Sequence, residues 1–224
     1  MKECSKSIMR RLRDPNFANR YFVGSGLDIG GAPDPLGLYV ELFPRLRGVA
    51  TFDKEDGDAQ HLEGIEDGSM EFVHSSHCLE HMIDPAEALT NWFRSVKEGG
   101  HLIVTVPDED MYEQGRFPST WNGDHKHSFT IMKSKSWSSN SINLLDLIQA
   151  LGPAAELVRL NILDEGFLHT LPRFDQTMTP IGECGIEFVI RKRTAEELEA
   201  GGRHPPAGIV SPMESFLLTG FQLD

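Results

Sequence analysis

The densest group of side chains able to exchange protons or hold a metal is His77-Cys78-Leu79-Glu80-His81. His77, Glu80 and His81 stand at i, i+3 and i+4. A chain that turns helically after a strand end brings such residues toward one point. Two imidazoles and a carboxylate so placed are candidate ligands for a divalent ion, and His81 is also a candidate catalytic residue. A second group is "DHKHSFT", residues 124–130. An unperturbed histidine titrates near neutrality, so His125 or His127 is a candidate general base, with Asp124 able to orient one of them. The spacing does not choose between the two. A third is "GLDIGGAPDPL", residues 26–36, where an acid between apolar residues precedes Gly30 and Gly31. Glycines there allow a tight turn and close backbone approach to a ligand. A dinucleotide loop would carry GxGxxG, to rest a pyrophosphate on a helix N-terminus. Here Pro33 and Pro35 remove N–H donors from the turn, which suits a ligand that places no phosphate there. Asp53 can accept hydrogen bonds from ribose hydroxyls. Asp58 stands where a carboxylate could take an exocyclic amine proton.

These residues fall at the ends of recognisable elements. Residues 5–13 predict a short helix ending at Asp14-Pro15, because the residue before proline avoids the α region. Strands are expected at Gly26–Ile29, in "GVATFD", around Phe72–Ser76, in "HLIVTVP", in "AELVRLNILDE" and in "CGIEFVIRKR". Helices are expected over 37–46, with Pro44 bending or ending it, and over 143–151. The clearest helix follows Asp84, with Pro85 in its first turn, apolar residues at 88, 89, 92, 93 and 96, and Gly99-Gly100 as its stop. Alternating strands and helices predict an α/β fold with a mostly parallel sheet and helices on both faces. Residues 108–140 interrupt the pattern as a long polar, aromatic loop, and such loops are commonly functional. Composition shifts again over 194–224, where "GGRHPPAG" reads as a joint and "MESFLLTGFQL" as an apolar end.

Bulk properties narrow the function. The 224 residues suit one domain with its own core. A net charge of −13 disfavours extended nucleic acid, whose affinity comes largely from neutralised phosphates. No apolar run is long enough for a bilayer, and the basic N-terminus lacks a signal-peptide core. Three cysteines, Cys4, Cys78 and Cys184, form no CxxC pair, which favours a reducing compartment. A cytoplasmic location is the expectation.

The ordered set "LDIGGAPDP", "FDKEDGDAQHL", "FVHSSHCLEHMIDP" and "WFRSVKEGGHLIVTVPD" resembles the class I S-adenosylmethionine-dependent methyltransferases, over about residues 20–193. "VPDEDMYEQGRFPS", "DHKHSFT" and "GECGIEFVIRKR" resemble a bacterial subgroup associated with glycan and surface-polysaccharide biosynthesis. The resemblance implies a Rossmann-like fold with a seven-stranded sheet. The methyltransferase domain would span 1–193, with a short N-terminal helical extension and a substrate-side loop at 108–140. Residues 194–224 would be a tail, lid or dimer arm, and a homodimer is expected. Asp28 would face the amino-acid end of S-adenosylmethionine and Gly30 would pass close to it. Asp53 would hold the ribose hydroxyls, Asp58 and Ala59 would flank the adenine, and Ser76 and His77, at the end of the family's fourth strand, would line the methionine portion. Gly31, Ala32 and Lys54 complete the expected contact set. Ala32 stands where the family's second glycine is usual, which puts the loop path in question. Related enzymes acting on vicinal hydroxyls hold a metal with an acid-x-x-Glu-His triplet, and His77 takes the place of the acid here. The implied reaction is methyl transfer to a small-molecule acceptor, best matched by a hydroxyl of a sugar or nucleotide-linked sugar. The alternatives are N- or C-methylation of another metabolite and a non-catalytic cofactor-binding scaffold.

Overall fold

The computed structural model describes residues 3–204 of the chain. They fall in two compact units, Met1–Arg193 and Thr194–Asp224. In the first unit, helix α1 (Glu3–Arg13) and a π-turn (Phe17–Tyr21) precede strand β1 (Gly24–Ile29). Strands β2 (Leu46–Phe52) and β3 (Met70–Ser76), helix α2 (Pro85–Ser95) and strand β4 (Val96–Pro107) follow. Then come β5 (Ser128–Thr130), β6 (Ser141–Asn143), α3 (Leu144–Gln149), β7 (Ala155–Leu163) and β8 (Gly185–Lys192). The described part of the second unit carries α4 (Ala195–Ala200), started by a Thr194–Glu197 capping box.

The main sheet runs β2-β1-β3-β4-β8-β7. β2, β1, β3 and β4 pair in parallel, while β8 lies antiparallel between β4 and β7. Both faces are buried, which is why "HLIVTVP" reads as a nearly continuous apolar run. Leu102, Val104 and Val106 face the cluster that holds Trp92, Phe93, Val96 and Leu147. Ile103 faces the other cluster, with Phe17, Phe22, Phe43 and Ile8 of α1.

Six strands stand in this sheet among the described residues, against seven expected. Residues 53–69 are turns, and side chains of α2 take up their carbonyls. Trp92 Nε1 donates to Ala59 O at 2.7 Å, and Arg94 donates to the carbonyls of His61, Leu62 and Ile65. Asp84 caps α2 by accepting from the N–H groups of Ala86 and Glu87, as expected. The helix ends at Ser95, earlier than its apolar periodicity predicts. Val96 turns extended and pairs with Met70, and the register then jumps so that His101 faces Phe72. Gly99 takes φ +77°, and a Cβ on Gly100 would lie 2.5 Å from the Glu71 carbonyl. The glycine pair therefore makes a bulge in the sheet and not a helix stop. The segment 37–46 forms a 3₁₀ turn, Leu36–Leu42, in place of a longer helix. The loop at 108–140 is more ordered than its composition suggests: Asp108 caps a π-turn, Glu109–Glu113, and β5 pairs in parallel with β6. The expected lid or dimer arm lies, from residue 205 onward, outside the described residues. No helix among the described residues is long and apolar enough to cross a membrane.

Candidate active site

The carboxyl ends of β1, β2 and β3 open onto two cavities that share Gly30, Ala32, His77 and His81 as walls. This is where open α/β sheets bind ligands. Gly30 adopts φ +70°, and a Cβ there would sit 2.7 Å from Cys78 Sγ. A Cβ on Gly31 would lie 2.5 Å from Asp28 Oδ2. Both glycines are thus demanded by close approach. Ala32 departs from the glycine pattern without strain, since its φ is not positive and its N–H donates to Asp53 Oδ2 at 2.9 Å.

The larger cavity, ≈ 430 Å³, is lined by Asp53, Lys54, Asp58, Ala59, Cys78 and Met82 among others. Asp53 accepts from Ala32 N and from Lys54 N at 2.8 Å, which fixes its carboxylate at the end of β2. A carboxylate offers about four lone-pair sites, so two remain for a ligand. Asp58 accepts from Gln60 N, and this bond, with His61 beside it, lowers its carboxyl pKa. Helix α2 fixes this wall through Trp92 and through Asn91, which donates to Gln60 O.

The smaller cavity, ≈ 180 Å³, is bounded by Asp28, Ser76, His77, Glu80, Tyr112, Asn122 and His125, and by Glu3 and Cys4 of α1. Its floor is Asp28, which accepts from Leu36 N at 2.7 Å and from His74 Nδ1 at 2.6 Å. Its far wall is ionisable. His125 is buried, and its Nδ1 lies 2.8 Å from Glu113 Oε1, itself 1% exposed. A carboxylate partner makes Nδ1 the donor, and Nε2 lies 3.9 Å from Glu80 Oε1. Glu80 is completely buried, and neither of its carboxylate oxygens has a hydrogen-bond partner. Burial acts to raise its pKa, but His77, His125 and His81 outweigh that and bring it below the ordinary value. Tyr112 Oη, Trp121 Nε1 and Glu113 Oε2 are also buried without partners. His77 takes φ +55°, with Nδ1 3.5 Å from Glu80 and Nε2 3.7 Å from Glu3.

The expected cofactor residues Asp28, Gly30, Gly31, Ala32, Asp53, Lys54, Asp58, Ala59, Ser76 and His77 all line one cavity or the other. The two candidate bases separate. His125 lines the smaller cavity, whereas His127 directs Nε2 to the Ile83 carbonyl at 3.2 Å and lines neither. Asp124, expected to orient one of them, pairs instead with His81 Nδ1 at 3.0 Å. The metal-ligand set changes membership. Among the described residues, the ligand atoms that fall within 4.8 Å of one another belong to Glu80, His81 and His125. His125 replaces His77 because the loop folds back onto the Leu79–His81 turn, with Lys126 N donating to Glu80 O. The sequence reading did not find His74, Glu113, Tyr112 or Arg11. A histidine directly after Phe72 and Val73 in an expected strand was the available signal for His74. Nothing local marks Glu113, which meets His125 only when the loop closes.

Comparison with known proteins identifies the family and the fold. A family model described as a methyltransferase domain matches residues 4–145. The crystal structure of a candidate methyltransferase from Bacillus halodurans C-125 covers 84% of this chain and 99% of its own, at 14% identity and a TM-score of 0.54. Phosphoethanolamine N-methyltransferase 2 of Haemonchus contortus, solved with phosphomonomethylethanolamine and S-adenosylhomocysteine, covers 83% of this chain and 53% of its own, at 13% identity and a TM-score of 0.50. An uncharacterized 37.1 kDa protein in a Streptomyces fradiae transposon is 35% identical over 66 residues, which is 30% of this chain and 19% of that protein. With the family match over more than half its length and the sheet, glycine turn and acid-lined cavities in the matching order, the chain belongs to the methyltransferase-domain family, the class I S-adenosylmethionine-dependent methyltransferases.

Proposed function

We propose that the chain methylates a hydroxyl of a small polyhydroxylated acceptor, a sugar or nucleotide-linked sugar, with His125 as general base. The buried Glu113–His125 pair carries this reading: Glu113 holds Nδ1 of an imidazole that lines the cleft, which leaves Nε2 as the nitrogen for proton transfer. S-adenosylmethionine supplies a methyl group on a sulfonium already activated for in-line displacement. The chain must align the hydroxyl and take its proton. His125 Nε2 accepts that proton, and Glu113 stabilises the imidazolium that forms. Unsatisfied polar atoms on Glu80, Glu113 and Tyr112 suit an acceptor rich in hydroxyls over an apolar one. Asp53 and Asp58 would hold the ribose and adenine, and Asp28 the amino-acid end.

A second reading is favoured by one observation. His81 and His125 each have Nδ1 held by a carboxylate, Asp124 and Glu113, as metal-bound histidines often do. A divalent ion held by Glu80, His81 and His125 would then acidify the acceptor hydroxyl. The test is transfer of labelled methyl from S-adenosylmethionine to a panel of sugars and nucleotide sugars. His125→Gln and Glu113→Gln should each lower transfer, by about 10²-fold or more for His125, with cofactor affinity unchanged. Wild-type transfer rates in both variants would refute the base. Cofactor binding without transfer to any member of the panel would favour the scaffold alternative.

A further inference from the structure

The floor of the smaller cavity is wired to helix α1. Asp28, His74, Arg11 and Glu187 form a continuous chain through the sheet, each no more than 1% exposed. His74 Nδ1 meets Asp28 Oδ1 at 2.6 Å, and His74 Nε2 meets Arg11 Nη1 at 3.0 Å. Arg11 Nη2 then donates to Glu187 Oε2 at 3.0 Å, and Arg10 joins Glu187 to Glu183. A guanidinium can only donate, so His74 Nε2 must accept. That leaves the proton on Nδ1, which donates to Asp28. The backbone N–H of Leu36 holds the other Asp28 oxygen. Beyond His74 the chain alternates guanidiniums and carboxylates, and Arg159 Nε also approaches Glu187 Oε1 at 3.8 Å. The Asp28 end of the chain is the end that lines the cavity.

We infer that Arg11 and His74 are positioning residues for the cofactor: Arg11 sets the tautomer of His74, and His74 holds the Asp28 carboxylate toward the amino-acid end of S-adenosylmethionine. The inference rests on the cofactor assignment above. It makes α1 a part of the binding site through Arg11. It also explains why α1 buries an arginine beside His74, among Phe17, Phe22 and Ile103.

Two amide substitutions separate positioning from packing. Asparagine reproduces the Nδ1 donor of histidine and glutamine the Nε2 position. Binding of S-adenosylmethionine is compared with binding of 5′-methylthioadenosine, which keeps the adenosine and lacks the amino-acid end. His74→Gln should weaken S-adenosylmethionine at least tenfold and leave 5′-methylthioadenosine within about threefold. His74→Asn should stay within about threefold of wild type for both. If His74→Gln does not fold, Arg11→Lys, which keeps the charge against Glu187 but loses the planar fork, should lower the same affinity ratio. Equal losses of both ligands, or an asparagine variant as weak as the glutamine one, would overturn the inference. Wild-type protein that binds neither ligand would overturn the cofactor assignment itself. Wild-type protein that binds both ligands, with no change of their ratio in any variant, would overturn the positioning role alone.

Discussion

Gly30→Ala tests the turn on which the whole site depends. Two separate penalties can be worked out. At φ +70° an L-residue crowds its own carbonyl, at a cost of about 1–2 kcal/mol. The new Cβ would also sit 2.7 Å from Cys78 Sγ and 2.8 Å from Cys78 Cβ. Cys78 is buried at the start of the Leu79–His81 turn, so it has little room to withdraw, and overpacking of this kind costs about 1–3 kcal/mol. The sum is about 2–5 kcal/mol. At roughly 2–4 °C per kcal/mol for a chain of this size, Tm should fall by about 4–20 °C. Gly64→Ala is the control: φ is +82°, yet no atom lies within 4 Å of the added Cβ. It should show the first penalty alone, about 1–2 kcal/mol. Cys78→Ala on the Gly30→Ala background should recover part of the crowding cost and none of the backbone cost. Thermal and urea unfolding measure all of these. A Gly30→Ala variant no less stable than Gly64→Ala would refute the close approach between the turn and Cys78.

Three further outcomes are expected. Asp53→Ala should weaken S-adenosylmethionine and S-adenosylhomocysteine at least tenfold by calorimetry (about 1.4 kcal/mol), because it removes both the proposed ribose acceptor and the tether on Ala32 N; unchanged affinity would remove Asp53 from the site. Chelation with EDTA should leave methyl transfer within about twofold; a loss of tenfold or more, restored by a divalent ion, would move His125 from base to ligand. Burial pushes the Asp108 carboxyl up to about 6. A carboxyl with a raised folded-state pKa stabilises the fold fully below the unfolded value near about 4, and that contribution is lost as pH rises through about 6. The stability difference between wild type and Asp108→Asn, measured by urea unfolding, should therefore shift toward the variant between about pH 4 and 7; a constant difference would refute it.

What the sequence alone determined is local or periodic. The Asp84 cap with Pro85, the apolar run of β4 and the glycine turn after β1 each act over a few neighbouring residues. Period and spacing therefore report them directly. The ordered motifs also carried the fold family and most of the expected cofactor wall, because Gly30, Asp53 and Ser76 all sit at carboxyl ends of parallel strands. Local rules failed where a distant partner competed. Val96 left α2 where Met70 offered it a ladder, and residues 53–69 form turns whose carbonyls Trp92 and Arg94 take up. Only the tertiary structure decided which histidine faces the cleft. His125 and His127 are two residues apart in one polar loop, and what separates them is Glu113 on one side and the Ile83 carbonyl on the other. Only the tertiary structure joined Asp28 to Arg11, because that chain runs through β3 and α1, which meet when the sheet is assembled. A hydrogen bond is decided by distance and direction between groups, and for residues far apart in sequence those are properties of the packed chain alone.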